Sequence, residues 1–224
     1  MTTKRSNKEL RQRVLDELDW EPSIESADLG VAVKEGVVTL TGEVPSYAQK
    51  RTAERTVLRL AGVKGLANEI EVKLPSKHKR TDADLAQAAI DALERHVQIP
   101  SDAIKVKVDG GWVTLEGSVN WNYQRKRAER AIRYLMGVKG VSNLVKVKKR
   151  ATPGDLRQRI KQALERRIDR EAEDITVMVD EGKVTLEGTV ASWTDRDDIE
   201  TAVWAAPGVT NVENNLSVSR KAYA

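Results

Sequence analysis

The side chains that could do chemistry are few and scattered. Cysteine is absent, and the only histidines are His78 and His96. Thiolate nucleophiles, thiolate zinc sites and disulfides are thereby excluded, as is a histidine-rich metal cluster. The motifs Gly-x-Gly-x-x-Gly, Gly-x-x-x-x-Gly-Lys-Ser/Thr and Gly-x-Ser-x-Gly are all missing. Gly62-x-x-Gly65 and Gly137-x-x-Gly140 each enclose a lysine, but both precede strands. A phosphate cradle instead presents amides at a helix N-terminus. His96 follows an amphipathic helix and reads as a boundary residue, while His78 sits between lysines and reads as solvated. Asp195, Asp197 and Asp198 open a helix, where carboxylates suit the positive end of the macrodipole. A hard cation beside them is a second reading. Acid, base and nucleophile cannot be assembled, so the chain is not expected to be an enzyme and no cofactor is implied.

The informative cluster is basic and aromatic. Arg125, Lys126, Arg127, Arg130 and Arg133 fall in one predicted helix, with Lys126, Arg130 and Arg133 at i, i+4, i+7 opposite the apolar Ala128, Ile132 and Leu135. Tyr123 lies three residues before Lys126 and shares its face. Trp121 occupies the helix-start position, and Trp112 follows a hairpin turn out of phase with Val113 and Leu115, which aims it at the sheet's other side. Cations meeting phosphates with aromatics at the interface suit an anionic lipid layer. The candidate contact set is Trp112, Trp121, Tyr123, Lys126, Arg127, Arg130 and Arg133. The same set also suits a nucleic-acid backbone with stacked bases, the less favoured partner. A solvated helix face, with tryptophans packed between units, accounts for the same pattern without a ligand.

Charge along the chain points to the same region. Residues 1–76 carry 12 basic and 12 acidic side chains, residues 77–150 carry 16 and 8, and residues 151–224 carry 10 and 14. A net +8 centre therefore lies between a neutral and a net −4 segment. Attraction between the +8 centre and the −4 third segment of another copy suits head-to-tail self-association at low salt. No stretch approaches the roughly 18 apolar residues needed to cross a bilayer. The basic start Met1–Asn7 has no apolar run behind it, so a cytoplasmic location is expected.

These residues are positioned by a unit that occurs three times. Val38-Thr39-Leu40-Thr41-Gly42-Glu43-Val44 returns as Val113-Thr114-Leu115-Glu116-Gly117-Ser118-Val119 and as Val184-Thr185-Leu186-Glu187-Gly188-Thr189-Val190. A second glycine follows 20 residues after each first one, at Gly62, Gly137 and Gly208. It opens a related tail ending in Asn68, Asn143 or Asn214. The six glycines read as backbone-shape residues rather than ligands.

Each unit parses alike. A helix comes first, with apolar residues four apart (Leu10, Val14, Leu18; Leu85, Ala89, Leu93; Leu156, Ile160, Leu164). An alternating strand, a glycine-bearing tight turn and a second strand follow. A second helix runs between the glycines, started by Ser46 and Ser192 in the outer units and ended by the later glycine as C-cap. A third strand closes the unit. The predicted class is α+β: three tandem α-β-β-α-β units, each a small three-stranded sheet with two helices on one face. The divisions fall at 1–76, 77–150 and 151–224, through the Pro-bearing stretches 74–80 and 148–154.

This arrangement, with the Val-Thr-Leu-x-Gly-x-Val strand and the Gly-Val-x-x-Val/Leu-x-Asn tail, resembles the BON domain over nearly the whole chain. The resemblance implies a bacterial, non-enzymatic protein linked to osmotic stress that binds phospholipid surfaces peripherally. A relative that joins BON to LysM binds potassium, which makes a small-ion sensor, with backbone carbonyls as ligands, one alternative; the other, a structural self-assembly module, rests on sheet edges and opposite charges.

Overall fold

The computed structural model describes residues 2–148, 156–167 and 175–218. It divides into two compact units, Met1–Lys146 and Val147–Ala224. The boundary stretch at 149–154 lies outside the described residues.

The first unit holds two repeats. Repeat 1 consists of α1 (Thr2–Trp20), β1 (Leu29–Lys34), β2 (Val37–Val44), α2 (Tyr47–Leu58), β3 (Gly65–Asn68) and β4 (Glu71–Val72). Repeat 2 repeats the order with α3 (Asp82–Glu94), β5 (Ile104–Asp109), β6 (Trp112–Val119), α4 (Asn122–Arg133), β7 (Gly140–Asn143) and β8 (Lys146–Val147). The second unit is repeat 3: α5 (Leu156–Arg167), β9 (Ile175–Asp180), β10 (Lys183–Val190), α6 (Trp193–Trp204) and β11 (Asn211–Val218). The predicted α+β class is observed in all three repeats; the α-β-β-α-β order is unbroken in repeat 3, and in repeats 1 and 2 the closing strand is split into two pieces, β3 with β4 and β7 with β8, each pairing with the central strand.

In each sheet the second strand is central. It pairs antiparallel with the first strand through the hairpin and parallel with the third through the helical crossover. The hairpin turns have positive φ at both central residues: Glu35 and Gly36, Gly110 and Gly111, Glu181 and Gly182. That is the twist-compatible two-residue turn. The carbonyl of the second turn residue then accepts the amide that begins the third strand, from Lys64 to Gly36 (2.8 Å), Lys139 to Gly111 (2.9 Å) and Thr210 to Gly182 (2.8 Å). One turn thus joins the hairpin to the crossover strand.

The period-2 strands put Val38, Leu40 and Val44, and their counterparts Val113, Leu115, Val119 and Val184, Leu186, Val190, on the helix-covered face, where all are buried. The helices meet them with Leu10, Val14, Leu18, Ala53 and Val57 in repeat 1 and the matching residues elsewhere. Each fully buried Val or Leu contributes roughly 1.5–3 kcal/mol relative to exposure. A unit of this size buries only about 60% of its unfolded surface. Repeat 2 gains further cover from repeat 1: Tyr47 is buried within the core of repeat 2, and Val72 packs against that core. Burial pushes the Tyr47 phenol above its ordinary value, opposed by the nearby Arg51 and Arg133 guanidinium groups.

The asparagines that end the repeated tail have a defined task. The side-chain oxygen of Asn68, Asn143 and Asn214 accepts the amide two residues on (3.3, 3.3 and 3.2 Å). The side-chain nitrogen reaches Glu54, Glu129 and Glu200 on the second helix (3.5, 3.4 and 3.0 Å). One side chain therefore shapes the third strand and ties it to the helix, satisfying polar groups that packing would otherwise strand.

The later glycine is not the helix C-cap expected from the sequence. The caps are Arg59, Tyr134 and Ala205, all at negative φ. Tight bonds close the helix ends: Leu60 to Val57 (3.1 Å), Leu135 to Ile132 (3.0 Å) and Ala206 to Val203 (3.0 Å). Gly62, Gly137 and Gly208 lie beyond these caps with φ of 97°, 99° and 98°, where the chain turns back toward the hairpin.

The earlier glycine is the most constrained. Gly42 and Gly117 have φ of 110° and 133°. A Cβ on either would fall on the backbone carbonyl oxygen of Asp28 or Ala103, far inside van der Waals contact. Gly42→Ala and Gly117→Ala should each destabilise the chain by well over ~1 kcal/mol in denaturant titrations. Gly110→Glu should cost far less, since nothing lies within 4 Å of its Cβ position and glutamate already holds the equivalent place at Glu35 and Glu181.

Candidate functional site

The basic helix is α4, and its start is unusual. In α2 and α6 a serine hydroxyl caps the first turn, Ser46 accepting from the Gln49 amide (3.3 Å) and Ser192 from that of Asp195 (3.1 Å). Trp121 cannot do this, because an indole carries no acceptor. Gln124 reaches back instead and accepts the amides of Asn120 (3.0 Å) and Trp121 (3.1 Å). The exchange frees the cap position for a half-buried aromatic.

From that start a single stripe runs along the solvent side of α4. Tyr123, Lys126, Arg127, Arg130 and Tyr134 are all exposed, and their spacing of three, four, seven and eleven returns to one helical face. Arg127 lies over the Tyr123 ring, 5.8 Å from its centroid, in a cation–π arrangement. Arg127, Arg130 and Tyr134, with His96 from the end of α3, line a shallow cavity of about 450 Å³.

The corresponding faces of the sister helices differ. Repeat spacing places Ala48, Arg51, Thr52, Arg55 and Arg59 at these positions in repeat 1, and Thr194, Asp197, Asp198, Thr201 and Ala205 in repeat 3. Asp197 and Asp198 are exposed at the places where repeat 2 carries Lys126 and Arg127. The combination of cations with flanking tyrosines belongs to α4 alone.

Two of the residues expected at this surface sit elsewhere. Arg133 is turned to the flank of α4, its side chain 19% exposed, and pairs with Glu129 at 2.9 Å. It lies near enough to Tyr47 of repeat 1 for its charge to act on that phenol. Trp112 is half exposed, but on the sheet face that carries no helix. Its ring covers Gly140, where a Cβ would collide with it, and its indole nitrogen donates to the Ser142 hydroxyl at 2.8 Å. Trp121, Tyr123, Lys126, Arg127 and Arg130 remain together on α4, with Trp121 at its half-buried start.

Tyr134 and His96 complete the surface and were not anticipated. Tyr134 was detectable, because it lies eleven residues after Tyr123 and so returns to the same face. The approach of His96 depends on the packing of α3 against α4, which local sequence does not encode. Among the described residues no group of three His, Cys, Asp or Glu side chains could hold a metal ion, and no helix is long and apolar enough to cross a membrane.

Comparison with known proteins agrees with the threefold reading. The BON domain matches the chain over residues 6–73, 81–149 and 154–220. Osmotically-inducible protein Y of Escherichia coli (strain K12) is 30% identical over 131 residues, which cover 56% of this chain and 65% of that protein. Two solved structures of CdsD, a structural protein of the type III secretion system of Chlamydia trachomatis, align with 94% and 96% of the chain and with 97% and 94% of their own, at 14% identity. Their TM-scores of 0.25 and 0.26 are too low to carry an argument.

The two arginines on α4 are expected to behave differently. Arg133→Ala should lower unfolding free energy by about 1 kcal/mol or more, since it leaves the part-buried Glu129 without its cation. Arg130→Ala, at a solvated position, should stay within about 0.5 kcal/mol of the parent in the same urea titration.

Proposed function

The chain belongs to the BON domain family, and from that membership we propose that it is a non-enzymatic binding protein of the osmotic-stress type that docks on anionic phospholipid through its second repeat. The observation that carries this reading is the exposed stripe Tyr123–Lys126–Arg127–Arg130–Tyr134 on a segment of net charge +8. The relative in Escherichia coli is named for osmotic induction, which supports the stress association.

The chemistry is peripheral. Lys126, Arg127 and Arg130 meet headgroup phosphates, each cation near an anionic surface contributing about 1 kcal/mol. Tyr123 and Tyr134 flank them and place amphipathic rings at the headgroup level. The contact is reversible, because this is far below the strength of an inserted helix, and it weakens as salt shortens the Debye length. The structural basis is a rigid one. α4 is fixed by Ala128 and Ile132 in the core, so the stripe is presented without a folding step.

Co-sedimentation with vesicles tests this. Vesicles containing phosphatidylglycerol should pellet the protein, pure phosphatidylcholine vesicles should not, and raising salt from 50 to 500 mM should release it. Arg127→Glu/Arg130→Glu should weaken binding at least tenfold, as four charge units change at about 1 kcal/mol each. Equal binding to neutral vesicles, or an unaffected double variant, would remove the proposal.

A further inference from the structure

The linker between repeats 1 and 2 reads as a polar spacer from sequence, but it does not hang free. It folds through a short helical turn at Ser76–His78 and curves around a cavity of about 830 Å³. Lys73 and Lys79–Arg80, from its two ends, stand on the wall; the floor is the Gly110–Gly111 turn and Gly137; Lys139 closes the far side.

This cavity is built rather than incidental. Gly111 and Gly137 are buried, with φ of 86° and 99°. A Cβ at Gly137 would lie 3.3 Å from the Arg80 Cβ, and one at Gly111 would lie 3.3 Å from the Lys139 Cγ. The first carbons of Arg80 and Lys139 therefore pack on bare backbone, while the rest of both side chains is exposed. The carboxylate of Asp82 accepts the amides of Gly110 (2.7 Å) and Gly111 (2.9 Å), so both of its oxygens are engaged with the floor. Lys73 is paired with Glu43 at 2.8 Å. Among the described residues Lys79, Arg80 and Lys139 pair with no carboxylate. Setting Lys73 against Glu43 and Asp82 against one remaining cation leaves an excess of two positive charges in a concave site, where field lines concentrate. Val72, Leu74 and Pro75 supply an apolar wall beside them.

We propose that this inter-repeat cleft binds a small phosphate monoester, its dianion between Arg80, Lys139 and Lys79 and its organic body against Val72, Leu74 and Pro75. The volume lies in the range of small-molecule sites, and two negative charges match the excess. Lys139 belongs to the Gly137-x-x-Gly140 segment, which lacks a phosphate cradle's helix amides; here it acts through its side chain. Repeat 3 has Thr210 in its place, while repeat 1 keeps a lysine, Lys64. The site is independent of the α4 stripe and does not rest on the lipid reading.

Amide NMR of the full chain, titrated with phenyl phosphate and separately with glycerol 3-phosphate, tests the assignment. Saturable shifts are expected at Gly110, Gly111, Gly137 and Lys139. Arg80→Glu/Lys139→Glu should reduce affinity at least tenfold while the spectrum stays dispersed, and Lys64→Glu, at the matching place in repeat 1, should leave it unchanged. Tighter binding of phenyl phosphate than of glycerol 3-phosphate is expected, because its ring packs on Val72, Leu74 and Pro75; phosphatidic acid vesicles that produce the same shifts identify a lipid-borne monoester as the source, and shifts with the free esters alone identify a soluble one. Arg127→Glu/Arg130→Glu should retain these shifts even where it abolishes vesicle binding, which separates the two sites. Shifts absent for both probes, centred on α4, or unaltered by Arg80→Glu/Lys139→Glu would overturn the proposal.

Discussion

A backbone carbonyl packed against a residue with no side chain sets the geometry of this fold. At Gly42 and Gly117 the central strand passes so close to the end of a short helical turn, at Asp28 and Ala103, that a methyl group has no room. Both glycines sit opposite the first residue of the antiparallel partner, Leu29 and Ile104. The close approach therefore determines where the first strand begins and in which register it pairs. Gly188, opposite Ile175 with φ of 138°, holds the same place in repeat 3. Once that register is set, period-2 alternation sends Val38 and Leu40, or their counterparts, to the helix-covered face, and the core follows.

The remaining recurrent contacts extend this lock. The hairpin carbonyl takes the first amide of the crossover strand, and the tail asparagine ties that strand to a helix glutamate. None of these interactions uses the outward side of the second helix. That side is consequently free to diverge, and it does: mainly arginine on α2, cations with tyrosines on α4, two aspartates on α6. Scaffold and surface are separable here because the residues that specify the fold point inward or lie in turns. The fold alone does not indicate a task; the proposals for the stripe on α4 and for the cleft beside Gly111 rest on the chemistry of those surfaces.

Much of this was legible from the chain itself, for physical reasons. Three copies of one pattern expose which positions are held constant, so the helices, the hairpin turns and the buried stripes could be read from spacing. The serine caps were readable because capping is a contact between neighbours three residues apart. What failed depended on contacts distant in sequence. Arg133 shares a helical face with Lys126 and Arg130 on an isolated helix, yet in the fold it is largely withdrawn from solvent, paired with Glu129 and close to Tyr47 of repeat 1. Trp112 was correctly sent to the sheet's other side, but that same placement separates it from the α4 stripe. The glycines at Gly62, Gly137 and Gly208 do turn the chain, one turn later than a C-cap would, because tight bonds within the helix end already serve its carbonyls. The cleft was invisible since its walls come from a linker, a hairpin turn and a crossover loop.

The central claim is that three like scaffolds differ in function through the outward face of one helix. Hydrogen exchange on the full chain, with and without phosphatidylglycerol vesicles, addresses it residue by residue. The account requires added protection at 123–134 on vesicle binding, with 48–59 and 194–205 unchanged. Equal protection of all three second helices, or protection confined to the helix-free sheet face around Trp112, would contradict it.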